Sequence, residues 1–197
     1  MLVAIEDALS EAVVRKTFAA VYEESPITLF LGLRGNSYLR KKADSFNQTS
    51  KGSPVFLLTD QDDSNSCPPS LIESWLKGPR HPNFLFRVAV MEVESWVMAD
   101  RESFAKFLSI PQERIPINTD SIPRPKEFLV SLARLSSSSR LREDLVPMPG
   151  ATSKVGPAYN PQLTAYVARS WNPEAAAVVS GSLRRTLRRL REFVSTG

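Results

Sequence analysis

Histidine and cysteine are nearly missing from this chain. His81 and Cys67 are the only ones among 197 residues. One thiol rules out an internal disulfide and fits a reducing, cytoplasmic setting. One imidazole, beside Pro82 in a turn, leaves no partners for a histidine-based nuclease centre or a zinc site, and His81 reads as a surface residue. Long apolar runs are missing too. No stretch approaches the roughly 18 apolar residues of a membrane span, so no membrane is expected. Met1 to Ile5 is apolar but stops at Glu6-Asp7 with no basic segment before it, unlike a signal peptide. There is no internal repeat, and the only low-complexity piece, Ser136 to Ser139, reads as a loop. The stretch from Gly150 to Pro157 lacks the glycine spacing and final Gly-Lys-Ser/Thr of a phosphate-binding loop.

What is present is 42% apolar, enough for one compact domain, or for one domain with a substantial extension. The net charge of +4 is mild but unevenly spread. Basic residues crowd the C-terminal end, and carboxylates crowd the ends of apolar runs. The organising run is Val55 to Asp63, where four apolar residues and a threonine lead into Asp60, Asp62 and Asp63. It reads as a buried strand ending in carboxylates. Leu2 to Ile5 and Ile27 to Leu31 read as earlier strands, and Asn83 to Val90 as a fourth. Helical spacing lies between them, from about Leu9 or Ser10 to Tyr22, through Tyr38 to Phe46, after Cys67-Pro68-Pro69, and from Glu92 to Leu108. This alternation predicts an α/β fold over residues 1–110, a mostly parallel sheet flanked by helices. Prolines then cluster, and residues 111–197 read as a helical and irregular extension packed on the sheet. Helices are expected at Phe128 to Leu135, from Leu163, and over Glu174 to Val194 with a break near Gly181.

Three apolar runs end in acid: Glu6 after the first, Asp60 and Asp62 after the third, and Glu92 and Glu94 after the fourth. In a parallel sheet these ends share one edge, where open α/β sheets bind ligands. Gathered carboxylates repel, and a hard cation such as Mg²⁺ or Mn²⁺ relieves that repulsion with oxygen ligands. The alternative reading is that they are Asp-rich turns and acids at helix N-termini. On a helix Glu92 and Glu94 point about 200° apart, so only one of them faces such a cluster, and Glu94 is the preferred one. Asp63 is expected to point elsewhere. Trp96 reads as core rather than as a base-stacking platform, and Asp100 as solvated or turn-forming.

The Ile5-Glu6 strand end, Asp60-Gln61-Asp62 and the alternating order together resemble a TOPRIM domain. Ala89 to Asp100 resembles a segment of small TOPRIM-like proteins related to the overcoming-lysogenisation-defect nucleases, found with mobile elements and phage defence. The resemblance covers roughly residues 1–110. It implies a TOPRIM/Rossmann-like sheet in which Glu6, Asp60, Asp62 and Glu94 bind Mg²⁺ and act on phosphodiester bonds. The family often has Glu-Gly and a second acid four residues on. Here Asp7 replaces the glycine, and Ser10 with Glu11 stands where the acid is expected.

Basic candidates beside such a site are Lys126, Lys154, Arg34, Arg87 and Arg124. Lys126 is taken as the one that neutralises charge developing during cleavage. Near the C-terminus Leu183, Leu187, Leu190 and Val194 form an apolar stripe, and Arg184, Arg185, Arg188, Arg189 and Arg191 cover the rest. The stripe suits packing on the chain's own core. Arg184, Arg185, Arg188 and Arg189 suit the backbone of DNA or RNA, an acidic partner, or plain solvation. The leading expectation is Mg²⁺-dependent phosphodiester chemistry on nucleic acid, a nuclease, with a possible ATPase or other defence-system subunit as partner. The alternative is a non-catalytic TOPRIM-like subunit that binds nucleic acid or a partner. A phosphatase or response-regulator-like fold with Asp60 as nucleophile is a third, weaker reading.

Overall fold

The computed structural model describes residues 1–62 and 67–195, so the expectation about Asp63 lies outside the described residues. The chain opens with β1 (Leu2–Ile5), α1 (Ala8–Ala19), β2 (Leu29–Gly32) and α2 (Asn36–Thr49). It continues with β3 (Val55–Asp60), α3 (Pro68–Trp75), β4 (Phe84–Ala89), α4 (Val93–Ala99) and α5 (Arg101–Leu108). All strand pairs are parallel, and the order across the sheet is β2-β1-β3-β4. From β1 the chain moves outward to β2, then returns across β1 to place β3 on its other side. The direction of winding therefore reverses between β1 and β3, and a crevice opens there outside the strands' carboxyl ends.

Side-chain alternation sends the two faces of the sheet to different cores. Val3, Ile5, Phe56, Leu58, Leu85 and Ala89 face α1 and the helices after β4. Ala4, Val55, Leu57, Phe84, Phe86 and Val88 face α2 and α3. The C-terminal part adds α6 (Pro125–Arg134), α7 (Ser139–Leu145), α8 (Tyr159–Arg169), α9 (Pro173–Val179) and α10 (Gly181–Ser195). Its Leu129, Leu163, Trp171 and Leu187 lie in the same core as Val13, Phe56 and Trp96, so this part covers one face of the sheet. Among the described residues no helix is long and apolar enough to cross a membrane.

Several expectations need adjustment. The first helix stops at Ala19 rather than Tyr22, although Val21 and Tyr22 still donate back to the Phe18 carbonyl. The second strand begins at Leu29, and the third closes on Asp60, so that carboxylate belongs to the strand itself. The helix expected from Glu92 to Leu108 is broken at Asp100. That carboxylate is buried and accepts the Asn172 N–H at 2.8 Å, which corrects the solvated reading, while the turn-forming one matches its place between α4 and α5. The serine run is a loop through Ser138, as expected, and only Ser139 enters α7, which Ser138 caps by accepting the Leu141 N–H. Trp96 is core, as expected, with its indole N–H donating to Ser182 Oγ at 2.6 Å.

Gly32 ends β2 at φ +108°, and a Cβ there would lie 2.3 Å from the Ile5 carbonyl oxygen. Only glycine lets β2 and β1 meet beside Glu6. Gly32→Ala combines a disfavoured φ with a backbone clash, and we expect it to lower stability by more than about 1 kcal/mol in denaturant unfolding. An unchanged midpoint would contradict the packing described here.

Candidate active site at the carboxyl edge of the sheet

Glu6 leaves β1 at the reversal point and is held by neighbours from β3 and α2. Its Oε1 accepts the Thr59 hydroxyl in a short hydrogen bond, the Asp60 N–H at 3.0 Å and the Asn36 amide at 3.4 Å. Burial pushes the Glu6 carboxyl above its ordinary pKa, and the charges of Asp62 and Asp7 add to this. The Thr59 and Asp60 hydrogen bonds oppose the shift without cancelling it. Asp7, next in line, accepts the Ser10 N–H at 2.8 Å and so caps α1.

Asp60 ends β3. Its Oδ1 accepts the Val93 N–H at 2.8 Å, so a carboxylate from one strand caps the helix that follows another. Burial raises its pKa well above the usual carboxylate value, followed by the charges of Glu94, Glu6, Asp62 and Asp7. Gln61 between the aspartates is buried, and its N–H reaches the Ala89 and Met91 carbonyls at 3.0 and 3.1 Å. Asp62 then turns at φ +59° and accepts the Asn36 amide at 3.4 Å. Burial raises its pKa, and Lys126 pulls the other way. Leu33 and Met91, beyond the ends of β2 and β4, share this left-handed conformation with φ of 58° and 62°. Side chains other than glycine rarely adopt it, and such positions cluster at functional edges.

Glu92 and Glu94 take different partners, but not through helical period, because α4 starts at Val93 and Glu92 precedes it with an extended backbone. Glu92 Oε2 accepts the Lys126 N–H at 2.7 Å and so caps the first turn of α6. Glu94 is 2% exposed. It accepts the Tyr159 hydroxyl at 3.1 Å and pairs with the Lys126 ammonium at 3.5 Å. Burial raises the Glu94 pKa, Lys126 opposes and Glu92 reinforces. Burial works against the Lys126 charge, but Glu94, Glu92, Asp60 and Asp7 outweigh it and hold the ammonium above its ordinary pKa. Tyr159 is held far above the ordinary phenol range, by burial first and then by Glu94, so it acts as a hydrogen-bond donor.

Glu6, Asp60, Asp62, Glu94 and Lys126 thus meet at one edge, drawn from four segments of chain. Asn36, Thr59 and Tyr159 were not expected there. A single Asn, Thr or Tyr carries no sequence signal of its own, and each arrives through tertiary packing. Other candidates are elsewhere. Lys154 pairs with Glu127 at 2.9 Å, as does Arg124 at 3.3 Å. Glu11 pairs with Arg15 at 2.7 Å, and Arg34 lies over the Tyr38 ring at 5.4 Å. His81 is partly buried, and its ring nitrogen accepts the Asn83 N–H at 3.2 Å.

The C-terminal arginines divide by task. Arg184 donates to the Ala177 and Val178 carbonyls at 3.4 Å, closing the last turn of α9. Arg191 pairs with Glu174 in a short contact. Arg188 and Arg189 share Glu192 at 3.7 and 3.6 Å. Arg185 has no carboxylate partner among the described residues.

The site donors are all hard oxygens, which suits Mg²⁺ or Mn²⁺. As oriented, however, each is turned to a protein partner, and among the described residues no three His, Cys, Asp or Glu side chains stand close enough together to hold one ion. No protein-family model matches this chain, and no curated protein or solved structure shows significant similarity to it.

Proposed function

We propose that this carboxyl edge is a TOPRIM-like site for Mg²⁺- or Mn²⁺-dependent phosphodiester chemistry on nucleic acid, a nuclease acting in the cytoplasm. The observation that supports it is that Glu6 and Asp60 end the two strands that flank the sheet's reversal point, with Glu94 and Asp62 near enough to repel Asp60 and the pKa of all four raised. Among the described residues Lys126 is in ion-pair contact with Glu94 alone, and Glu6, Asp60 and Asp62 have no cation within ion-pair distance. A divalent cation would relieve that imbalance, and Glu6, Asp60, Asp62 and Glu94 are the residues that would have to turn from their present partners to hold it. Bound there, such an ion supplies Lewis acidity to a phosphoryl oxygen and lowers the pKa of a bound water. The chain's own residues hold these groups in place. Thr59 and Asn36 orient Glu6, the Val93 N–H orients Asp60, and Tyr159 orients Glu94. Lys126 neutralises charge that develops on the scissile phosphate.

The test is incubation of the folded chain with plasmid, single-stranded DNA and RNA under Mg²⁺ or Mn²⁺, beside Glu6→Gln and Lys126→Met. The proposal expects metal-dependent cleavage that falls at least about a hundredfold in Glu6→Gln and about tenfold or more in Lys126→Met. Absence of cleavage under any divalent ion would count against it. A second reading is a non-catalytic TOPRIM-like subunit that binds nucleic acid or a partner such as an ATPase or another defence-system protein. It draws on the Lys126–Glu94 pair, which already neutralises one ligand at 3.5 Å. It expects no uptake of divalent ions.

A further inference from the structure

Arg87 sits in the middle of β4, paired in register with Leu58. Its neighbours on that face, Leu85 and Ala89, are apolar core. The side chain is half-buried, and its Nε donates to Thr186 Oγ1 at 3.3 Å, on the helix that lies beside β4. Around it gather Arg80, from the turn before β4, and Arg185, Arg188 and Arg189 from α10. Burial lowers the Arg87 pKa to about 10, and Arg80, Arg185, Arg189 and Arg188 contribute to that lowering by repulsion. Burial and Arg189 lower Arg80 as well. Among the described residues no carboxylate pairs with Arg80, Arg87 or Arg185. Clustered guanidiniums without a paired acid are unfavourable in the free chain, and an anion placed among them is held by charge-assisted hydrogen bonds.

The cluster opens into space of two kinds. A cavity of about 860 Å³ runs along the free edge of β4 between α3 and α10, lined by Arg80, Arg87 and Arg185 together with Ile72, Leu76 and Phe86. A smaller recess of about 130 Å³ is lined by Arg80, Arg87 and Arg189. Glu73 and Lys77 also line the larger cavity. An occupant with an anionic head and a flat apolar body matches these walls, and a nucleotide unit of a strand has both. The register places Arg87 two residues before Ala89, which pairs with Asp60, roughly 6.6 Å along the strand from the acidic edge.

We propose that Arg80, Arg87 and Arg185 form a phosphate-binding pocket that grips the backbone of a nucleic-acid strand and leads it to the carboxyl edge of β3 and β4. This deepens the nucleic-acid reading of that edge and rests on it. It also moves the contact from the exposed face of α10 to the edge of β4, since Arg184 is engaged with α9 and only Arg185 of the C-terminal set is central to the pocket.

The experiment is fluorescence anisotropy with labelled single-stranded and duplex DNA of one sequence, in EDTA, over a range of salt. Working without divalent ions separates this pocket from the cleavage proposal, which can fail while this one holds. The full chain is compared with R80Q/R185Q, with R87Q and with R140Q, a charge loss on the exposed α7. We expect R80Q/R185Q to bind about tenfold more weakly than R140Q, with a salt slope shallower by about 0.9 for each duplex phosphate that the variant no longer neutralises. Both charge-removing variants of the cluster should melt at or above the wild-type temperature, because repulsion falls. Binding by R80Q/R185Q equal to that by R140Q overturns the proposal. So does a wild-type chain that binds neither DNA, including one stabilised only by inorganic phosphate.

Discussion

Asp60→Asn is expected to melt a few degrees higher than the wild type in metal-free buffer at pH 7, and to lose any Mn²⁺-dependent rise in melting temperature. Asparagine keeps the shape and still caps α4 through the Val93 N–H, since it is as good a capping acceptor as aspartate. What it removes is a charge pressed by burial and by Glu94, Glu6 and Asp62. For a chain of this size about 1 kcal/mol corresponds to roughly 2–4 °C. Asp60→Ala separates charge from cap, because it relieves the repulsion but strips the cap, worth about 1 kcal/mol. It should therefore melt below Asp60→Asn. The pH dependence carries the same sign. Glu6, Asp60, Asp62 and Glu94 all have folded pKa values raised above their unfolded ones. Between the two values the folded chain holds protons that the unfolded chain has released. Their protonation therefore adds stability as pH falls through the raised folded values, and the gain is complete once pH is below the ordinary carboxylate range. The wild type in EDTA should thus be more stable near pH 5.5 than at pH 7.5, and Asp60→Asn should flatten that slope. A melting temperature that falls in Asp60→Asn, with a steeper slope, would contradict the electrostatics described here.

Trp96→Ala should cost about 3–5 kcal/mol in denaturant unfolding, the range for deleting a buried aromatic. Trp96 is 1% exposed, its indole donates to Ser182, and its carbonyl accepts the Trp171 indole N–H at 3.0 Å. It thereby ties α4, which carries Glu94, to α10 and to the turn before α9. Trp96→Phe keeps most of the apolar volume and loses the Ser182 bond, so it should cost about 1–2 kcal/mol. If Trp96 instead stacked on a base, both variants would unfold near the wild-type midpoint and lose nucleic-acid binding.

Much of the carboxyl edge was legible in the sequence because strand period and charge announce it together. Val55 to Leu58 alternate between two cores, the run ends in acid, and Glu6 ends β1 in the same way. The preference for Glu94 over Glu92 rested on helical angle, whereas in the structure Glu92 precedes α4 in an extended conformation; it caps α6 while Glu94 pairs with Lys126. What was hidden depends on contacts distant in sequence. The break at Asp100 comes from a bond to Asn172, which no local spacing encodes. Tyr159 reaches Glu94 from a proline-rich stretch that carried no periodic signal. The division of the C-terminal arginines was hidden for the same reason. All look alike along the helix, and only Glu174, Glu192, the end of α9 and Arg87 tell them apart.

The most direct test of the central claim is calorimetric titration of Mn²⁺ into the folded chain at pH 7.5, with Asp60→Asn and Glu6→Gln alongside. If the four carboxylates form one divalent-cation site, the wild type takes up Mn²⁺ saturably, with proton release, because the ion displaces protons from acids whose pKa values are raised. Both variants should lose affinity by at least tenfold while keeping their fold. No uptake by the wild type, or uptake unchanged in both variants, would contradict the account and leave the edge as a non-catalytic binding surface.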